Sequence, residues 1–126
     1  MIEMIETDRA AAAAGHYSQA VKANGFIFVA TQLPIDPENP EQEKGNVQDQ
    51  TRQVLSNIIE IVRAAGGEIS SICRISIYVS KTEHWGDVDE MYKEMLGNHK
   101  PARGVLEIPN IRKGYDVSME AIATII

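Results

Sequence analysis

The sequence has one cysteine in 126 residues and no long hydrophobic run. Cys73 therefore has no partner for an intrachain disulfide. No apolar stretch approaches the roughly 18 residues that a membrane-spanning helix needs. The acidic segment from Met1 to Glu6 also lacks the basic flank and the long apolar core of a signal peptide. These absences predict a cytoplasmic protein without a membrane partner.

Positive charge is scarce as well, with 12 Lys and Arg residues against 18 Asp and Glu residues and a formal net charge of -6. The basic residues form no cluster that would follow a phosphate backbone, so we expect no nucleic acid partner. His84 and His99 are separated from each other and from any carboxylate pair at metal-ligand spacing. No Gly-rich phosphate loop is present either. The sequence therefore predicts neither a metal nor a cofactor.

What the chain does contain is enough apolar material, 44% of its residues, for one domain over residues 1–126. Residues 2–6 suggest a short edge strand. The stretch from Tyr17 to Thr31 alternates around the turn dipeptide Asn24-Gly25 and predicts a hairpin whose second strand is central. A proline-rich loop follows to residue 45. Apolar residues then recur at helical spacing from the N-cap Asn46 to the glycines that follow Ala65.

The second half repeats the alternation of strand and helix. Residues 72–80 predict a half-buried strand whose inward face includes Cys73, so this thiol is interpreted as a packing residue. A second helix is predicted from Thr82 to Gly97, with Trp85 in its buried stripe. Strands over 102–108 and 116–126 complete the chain, joined by a loop over 109–114.

Two amphipathic helices cover only one face of a sheet of five or six strands, which predicts an α+β two-layer sandwich with a mixed, mainly antiparallel sheet. The uncovered face is too apolar for open solvent and too polar for a core. Alternation assigns to it the residues Arg103, Val105, Glu107, Ser118, Glu120 and Ile122. Such a face favours self-association, so we predict a homo-oligomer with polar clefts between its subunits.

One stretch carries a specific chemical suggestion. Arg103 follows Pro101 at the start of a strand-like run, where restricted backbone freedom suits its guanidinium to the bidentate grip of a carboxylate. The alternative is an ordinary surface salt bridge.

The chain resembles the RidA/YjgF family of reactive intermediate deaminases over nearly its whole length. The motifs that carry the resemblance are Gly15-x-Tyr17-Ser18-Gln19-Ala20, Gln32-Leu33-Pro34, Ala64-Ala65-Gly66-Gly67, Pro101-Ala102-Arg103 and Glu120-Ala121-Ile122-Ala123. The resemblance implies a chorismate-mutase-like fold, a homotrimer with three inter-subunit clefts, and cofactor-free hydrolysis of enamine and imine carboxylates such as 2-aminoacrylate. The products would be 2-keto acids and ammonia.

The resemblance also implies roles for individual residues. Arg103 matches the family's substrate-carboxylate Arg, Tyr17 matches the Tyr that lines the cleft, and Val105 would contribute its backbone N–H. This chain departs from the family at four places: His16 stands where Pro is common, Ala30-Thr31 where Ser-Gly is common, Val105 where Cys is frequent, and Ser118 where the family has its water-orienting Glu.

For catalysis we therefore expect Arg103, Tyr17, Ser118 and Glu120, with Thr31 supplying a hydroxyl if a bulge turns it inward. The residues expected to bind the substrate are Arg103, Val105, Tyr17, Ala30, Thr31 and His16. Ser118 orients water but is a poor base, so Glu120, Glu107 or His16 would have to assist. Because the family's Glu is missing, a second hypothesis is a non-catalytic or regulatory module that binds a small carboxylate. An RNA-cleaving activity, as claimed for some relatives, is disfavoured by the acidic composition.

Overall fold

A computed structural model describes all 126 residues as one six-stranded sheet with two helices on one of its faces. The order of strands across the sheet is β1-β2-β3-β6-β4-β5, and every pair is antiparallel except β4 with β5. This confirms the predicted α+β sandwich. The elements are β1 (Glu3–Ile5), β2 (Ala20–Ala23), β3 (Phe26–Gln32), α1 (Val47–Ala64), β4 (Ile72–Val79), α2 (Trp85–Leu96), β5 (Ala102–Glu107) and β6 (Val117–Thr124).

The predicted hairpin is formed by β2 and β3, with β3 in the middle of the sheet. Asn24 and Gly25 have φ angles of 50° and 81°, the left-handed pair that a two-residue hairpin turn requires. The first strand is shorter than predicted and begins at Ala20. The Gln19 side chain instead binds the preceding loop, accepting from the Thr7 N–H at 2.6 Å and donating to the Ala11 carbonyl at 2.7 Å.

Helix α1 begins as predicted, because the Asn46 side chain accepts a hydrogen bond from the Asp49 N–H at 2.8 Å. It ends before Gly66, whose φ of 98° is unfavourable for other residues. Its apolar stripe packs on the sheet and includes Leu55 and Ile58, both without exposed surface. Each such side chain contributes about 1.5–3 kcal/mol through burial, so this helix accounts for much of the core.

Helix α2 follows a short 3₁₀ turn over Thr82–His84 and ends at Gly97. The Glu107 carboxylate accepts hydrogen bonds from the Thr82 N–H at 2.7 Å and from its hydroxyl at 3.0 Å. Glu107 therefore anchors the start of α2, and the hypothesis that it assists a catalytic water is not supported by its position. Trp85 is half-buried and packs against the core, as predicted.

The prediction that Cys73 packs in the core is wrong, because its side chain is exposed. The pairing of β4 with β6 shifts register between Ile72 and Arg74, which is the signature of a bulge. The extra residue lets both Ile72 and Ile75 point inward, at 2% and 0% exposure. Cys73, the residue at the bulge, is turned out.

The predicted face of β5 is also wrong. In the parallel pairing of β4 with β5, Arg103 lies opposite Ile75, Val105 opposite Ile77, and Glu107 opposite Val79. Paired residues share a face, and these three partners are fully buried under the helices. Arg103, Val105 and Glu107 therefore lie on the helix side of the sheet, away from Ser118 and Glu120. They remain accessible because β5 is the last strand of the sheet.

Candidate functional site

A cavity of about 620 Å³, here called the β3–β6 cavity, lies where the end of β3 meets the start of β6. It gathers four residues that the sequence singled out: Tyr17, Ala30, Thr31 and Ser118. Its other lining residues are Ala11, Ala12, Ala14, Gln32, Leu33, Ile35, Tyr78, Ile108, Ile111 and Arg112. Concave and mainly apolar, with few polar groups, it has the character of a small-molecule site.

Thr31 reaches the cavity through an irregularity in β3. The pairing of β3 with β6 shifts register between Val29 and Gln32. Gln32 is turned inward, 3% exposed, and donates to the Ala30 carbonyl at 3.1 Å. Thr31 therefore lies at this irregularity and lines the cavity, but it is Gln32 and not Thr31 that turns inward, and the Thr31 side chain stays exposed.

Tyr17 contributes from the loop before β2. Its hydroxyl oxygen accepts a hydrogen bond from the Ala14 N–H at 3.2 Å, which ties the alanine-rich segment to the cavity rim. The ring stays 45% exposed, so a ligand or a second protein copy has access to it. The neighbouring His16 is exposed and is not among the lining residues. The position of His16 therefore gives no support to a catalytic role.

Ser118 lies on β6 directly opposite Tyr78 of β4, and both side chains line the cavity. The Tyr78 hydroxyl donates a hydrogen bond to the Glu120 carboxylate. Glu120 itself is not among the lining residues and connects to the cavity only through Tyr78. The hydrogen bond to Glu120, helped by burial, raises the pKa of Tyr78 above its usual value. The hydroxyl thus stays protonated and acts as a donor.

Tyr78 and Arg112 are lining residues that the sequence reasoning missed. Alternation along β4 already placed Tyr78 on the face of Ser118, so this signal was present. Arg112 lies in a loop without periodicity, and only the folded chain shows its neighbours.

Arg103 belongs to a second cluster, here called the Arg103 corner, together with Trp85, Asp89 and Tyr92 of α2. Its Nη1 donates to the Asp89 Oδ1 at 3.0 Å, and its guanidinium carbon lies 4.5 Å from the Trp85 ring centroid and 5.2 Å from that of Tyr92. Burial raises the pKa of Asp89, but hydrogen bonds from Lys93 and Arg103 outweigh it and leave that pKa below its ordinary value. The Asp89 carboxylate therefore stays charged at neutral pH, beside the Arg103 guanidinium.

The backbone beside Arg103 is also open to a ligand. Ile108 donates its N–H to the Val79 carbonyl at 2.8 Å. Because N–H groups alternate sides along a strand, those of Arg103 and Val105 point away from β4, toward the outer edge of the sheet. A carboxylate placed at this edge would meet the guanidinium and the Val105 N–H together.

The face of the sheet that the helices leave uncovered carries several exposed apolar side chains. Phe26 and Phe28 are 44% and 46% exposed with ring centroids 6.2 Å apart, and Leu106 is 62% exposed. Arg74 lies across Gly104, where an added Cβ would be 2.9 Å from its Nη2. Large exposed apolar patches mark interaction surfaces, which agrees with the predicted self-association.

Two further observations concern metal binding and membrane spanning. No group of three or more His, Cys, Asp or Glu side chains is arranged to hold a metal ion. Neither helix combines the length and the apolar character needed to cross a membrane.

Comparison with known proteins gives a consistent result. A model of the family described as "Endoribonuclease L-PSP" matches residues 7–125. A RutC family protein of Pyrococcus horikoshii is 42% identical over 123 residues, or 98% of each chain. A protein of Rattus norvegicus named 2-iminobutanoate/2-iminopropanoate deaminase is 33% identical and aligns over 96% of this chain and 88% of its own. The crystal structure of E. coli TdcF with bound serine matches with a TM-score of 0.92 and 30% identity, over 97% of this chain and 98% of that one.

Proposed function

Because the chain belongs to the RidA/YjgF family, we propose that it is a cofactor-free deaminase that hydrolyses small reactive 2-imino acids and their enamines. The products are the 2-keto acid and ammonia. The observation that carries the proposal is the β3–β6 cavity, which brings Tyr17, Ala30, Thr31 and Ser118 to one concave wall. The name of the rat relative gives the reaction class. We place the activity in a cytoplasmic homotrimer of one domain per chain.

The proposed site is composite. Arg103 is turned toward α2 and is absent from the cavity of its own chain. It lies at an unpaired sheet edge, where a second copy has access to it. We therefore assign Arg103 and the Val105 N–H of one copy to the carboxylate of the substrate, and the cavity of the next copy to the imine end. The exposed apolar sheet face supplies the surface for such an assembly.

The chemistry needs little machinery. Charged hydrogen bonds from Arg103 to a carboxylate contribute roughly 1.5–3 kcal/mol each. Ser118 orients a water toward the C=N carbon, and the apolar walls exclude other water. Addition of that water and loss of ammonia convert the imine to the keto acid. Glu120 acts through Tyr78, whose hydroxyl donates to it and whose side chain lines the cavity.

A binding or regulatory module is the second candidate. It is favoured by one specific observation: Ser118 occupies the position of the family's water-orienting Glu, and the nearby Glu120 lies outside the cavity. In that case Arg103 still holds a small carboxylate, but no turnover follows. An RNA-cleaving activity is not proposed, since the net charge of -6 opposes binding to a phosphate backbone.

The test generates 2-aminoacrylate with a serine or threonine dehydratase, traps the remaining imine with semicarbazide, and follows pyruvate release. We expect the protein at micromolar concentration to accelerate release, and Arg103→Ala to abolish the acceleration. Arg52→Ala, which removes an exposed Arg from the outer side of α1, is the matched control and should behave as wild type. No acceleration by the wild-type protein would reject the deaminase and leave the binding module.

A further inference from the structure

Arg112 is the one charged side chain among the fourteen residues that line the β3–β6 cavity. It forms no salt bridge, although most other arginines of the chain do: Arg52, Arg63 and Arg103 each pair with a carboxylate. Its charge is therefore uncompensated at the wall of an otherwise neutral site. An unpaired guanidinium there is available to an anionic group of a ligand.

The backbone that carries Arg112 is held in an unusual conformation. Residues 112–114 form a single 3₁₀ turn in which Lys113, a residue with a Cβ, has a φ of 63°. Left-handed conformations at such residues persist only where the surroundings impose them. Here the Lys44 ammonium donates to the Gly114 carbonyl at 2.6 Å, and the next residue, Tyr115, is buried with 6% exposure. The backbone that follows Arg112 is thus held in place.

The size and polarity of the cavity limit the ligand. Ten of the fourteen lining residues are hydrophobic, so the part of the ligand between its polar ends has to be apolar. Cavities of about 300–1,000 Å³ enclose drug-sized ligands, and the cavity of a single chain, about 620 Å³, falls in this range. A longer molecule with a second anionic end would use both the volume and the Arg112 charge.

We propose that Arg112 is a specificity-determining residue that binds a second carboxylate, so that the preferred substrates are dicarboxylic 2-imino acids with a methylene chain between the two carboxylates. This rests on the proposed function, in which Arg103 of a neighbouring copy holds the first carboxylate. The methylene chain contacts the apolar wall, and the carboxylate remote from the imine meets the Arg112 guanidinium.

The experiment compares 2-oxo acids of equal carbon number with and without the second charge, with oxaloacetate freshly dissolved because it decarboxylates in solution. Isothermal titration calorimetry on the intact oligomer measures the Kd of oxaloacetate, 2-oxoglutarate and 2-oxoadipate against 2-oxobutanoate, 2-oxopentanoate and 2-oxohexanoate. We expect at least one dicarboxylate to bind about tenfold more tightly than its monocarboxylate partner, the size of one charged hydrogen-bonded contact.

Three variants locate the effect. Arg112→Ala should remove the preference and leave the Kd of the monocarboxylates unchanged, whereas Arg112→Lys should retain part of it. Lys113→Ala, which changes an exposed neighbour outside the lining, should bind as wild type. Equal binding of the two series by the wild type, or an equal loss of both in Arg112→Ala, would overturn the assignment.

The outcome is separable from that of the proposed function. If 2-aminoacrylate is not hydrolysed but the preference for dicarboxylates depends on Arg112, the deaminase activity is rejected and the role of Arg112 is supported. If hydrolysis depends on Arg103 but dicarboxylates and monocarboxylates bind alike, the deaminase activity is supported and the role of Arg112 is rejected.

Discussion

The Arg103 corner and the β3–β6 cavity belong to one chain but lie on opposite sides of its sheet. At the corner, a guanidinium is already paired with Asp89 and stacked against Trp85. In the cavity, ten of the fourteen lining residues are hydrophobic, and the one cationic side chain, Arg112, forms no salt bridge. The Arg103 corner therefore offers a fixed guanidinium beside a mainly polar pocket of about 400 Å³, whereas the β3–β6 cavity offers a larger, mainly apolar space with few polar groups. Neither region alone has the parts that hydrolysis of a carboxylated imine needs.

The difference indicates why a chain of this kind would assemble. A guanidinium held by a carboxylate and two aromatic rings loses little side-chain entropy when it binds a ligand. It points toward an open sheet edge, where its own cavity is out of reach. A second copy packed against the exposed apolar face would bring a cavity to this edge.

The largest effect is expected from Phe28→Asp, which places a charge in the middle of the exposed apolar face. We expect the mass in light scattering to fall from three times 13.9 kDa to that of one chain, with the imine assay reduced to background. Burying an unpaired carboxylate at an interface is unfavourable enough to separate the copies. Ile2→Asp, a similar change at an exposed terminal residue, is the control. A trimer that survives Phe28→Asp would show that this face is not the interface.

A mixing experiment asks which copies supply the two regions. Arg103→Ala removes the anchor, and Ala30→Trp fills the cavity, so each variant alone should be inactive. Refolded together in equal amounts, they should regain activity in about one quarter of the clefts, by random assortment around the ring. The imine assay measures the recovery. If Arg103 and the cavity of the same chain cooperated, every cleft would carry one defect and no activity would return.

Asp116→Asn should destabilise the segment beside the β3–β6 cavity and leave the contacts of the Arg103 corner unchanged. The Asp116 carboxylate accepts hydrogen bonds from the Gln50 amide at 3.1 Å and the Ser80 hydroxyl at 2.9 Å, close to the turn that carries Arg112. Loss of its charge should lower the free energy of unfolding by about 1–3 kcal/mol. Thermal unfolding at pH 7 measures this loss, and unchanged stability would show that the network is not stabilising.

The same variant has a pH signature. Burial raises the pKa of Asp116, but hydrogen bonds from Gln50 and Ser80 and the Lys44 charge hold it below its ordinary value. A depressed pKa adds stability that is complete above the unfolded value of about 3.9 and is lost as the pH falls through the folded value. The stability gap between wild type and Asp116→Asn should therefore narrow below about pH 4. A constant gap down to pH 2 would contradict this assignment.

The smallest effect is expected from Tyr78→Phe, which keeps the ring on the cavity wall but removes the donor to Glu120. The hydroxyl contacts Glu120 and not the substrate, so its loss acts only through the positions of neighbouring groups, and kcat should fall by no more than about tenfold. KM should not change, because no ligand contact is removed. Since the hydrogen bond to Glu120 raises the pKa of Tyr78, the wild-type rate should show no titration of this group around neutral pH. A changed KM with an unchanged kcat would instead indicate direct substrate binding.

Much of the fold was predictable because its signals are local. The Asn24-Gly25 turn, the Asn46 cap and the glycine ends of both helices act within a few residues of the chain. Alternation along β6 also placed Ser118 and Glu120 correctly on the uncovered face. For the candidate site, four residues that the sequence singled out line one cavity: Tyr17, Ala30, Thr31 and Ser118.

The remaining features could not be predicted from the sequence, because strand register depends on how two strands pair, whereas the periodicity of a sequence describes one strand alone. The sequence shows that Arg103 and Ser118 each lie on an alternating strand, but the pairing of β5 with β4 determines that they face opposite sides. One extra residue at the β4 bulge likewise turns Cys73 out of the core. Arg112 lies in a loop with no repeating pattern, and long-range packing alone places its charge at the cavity wall.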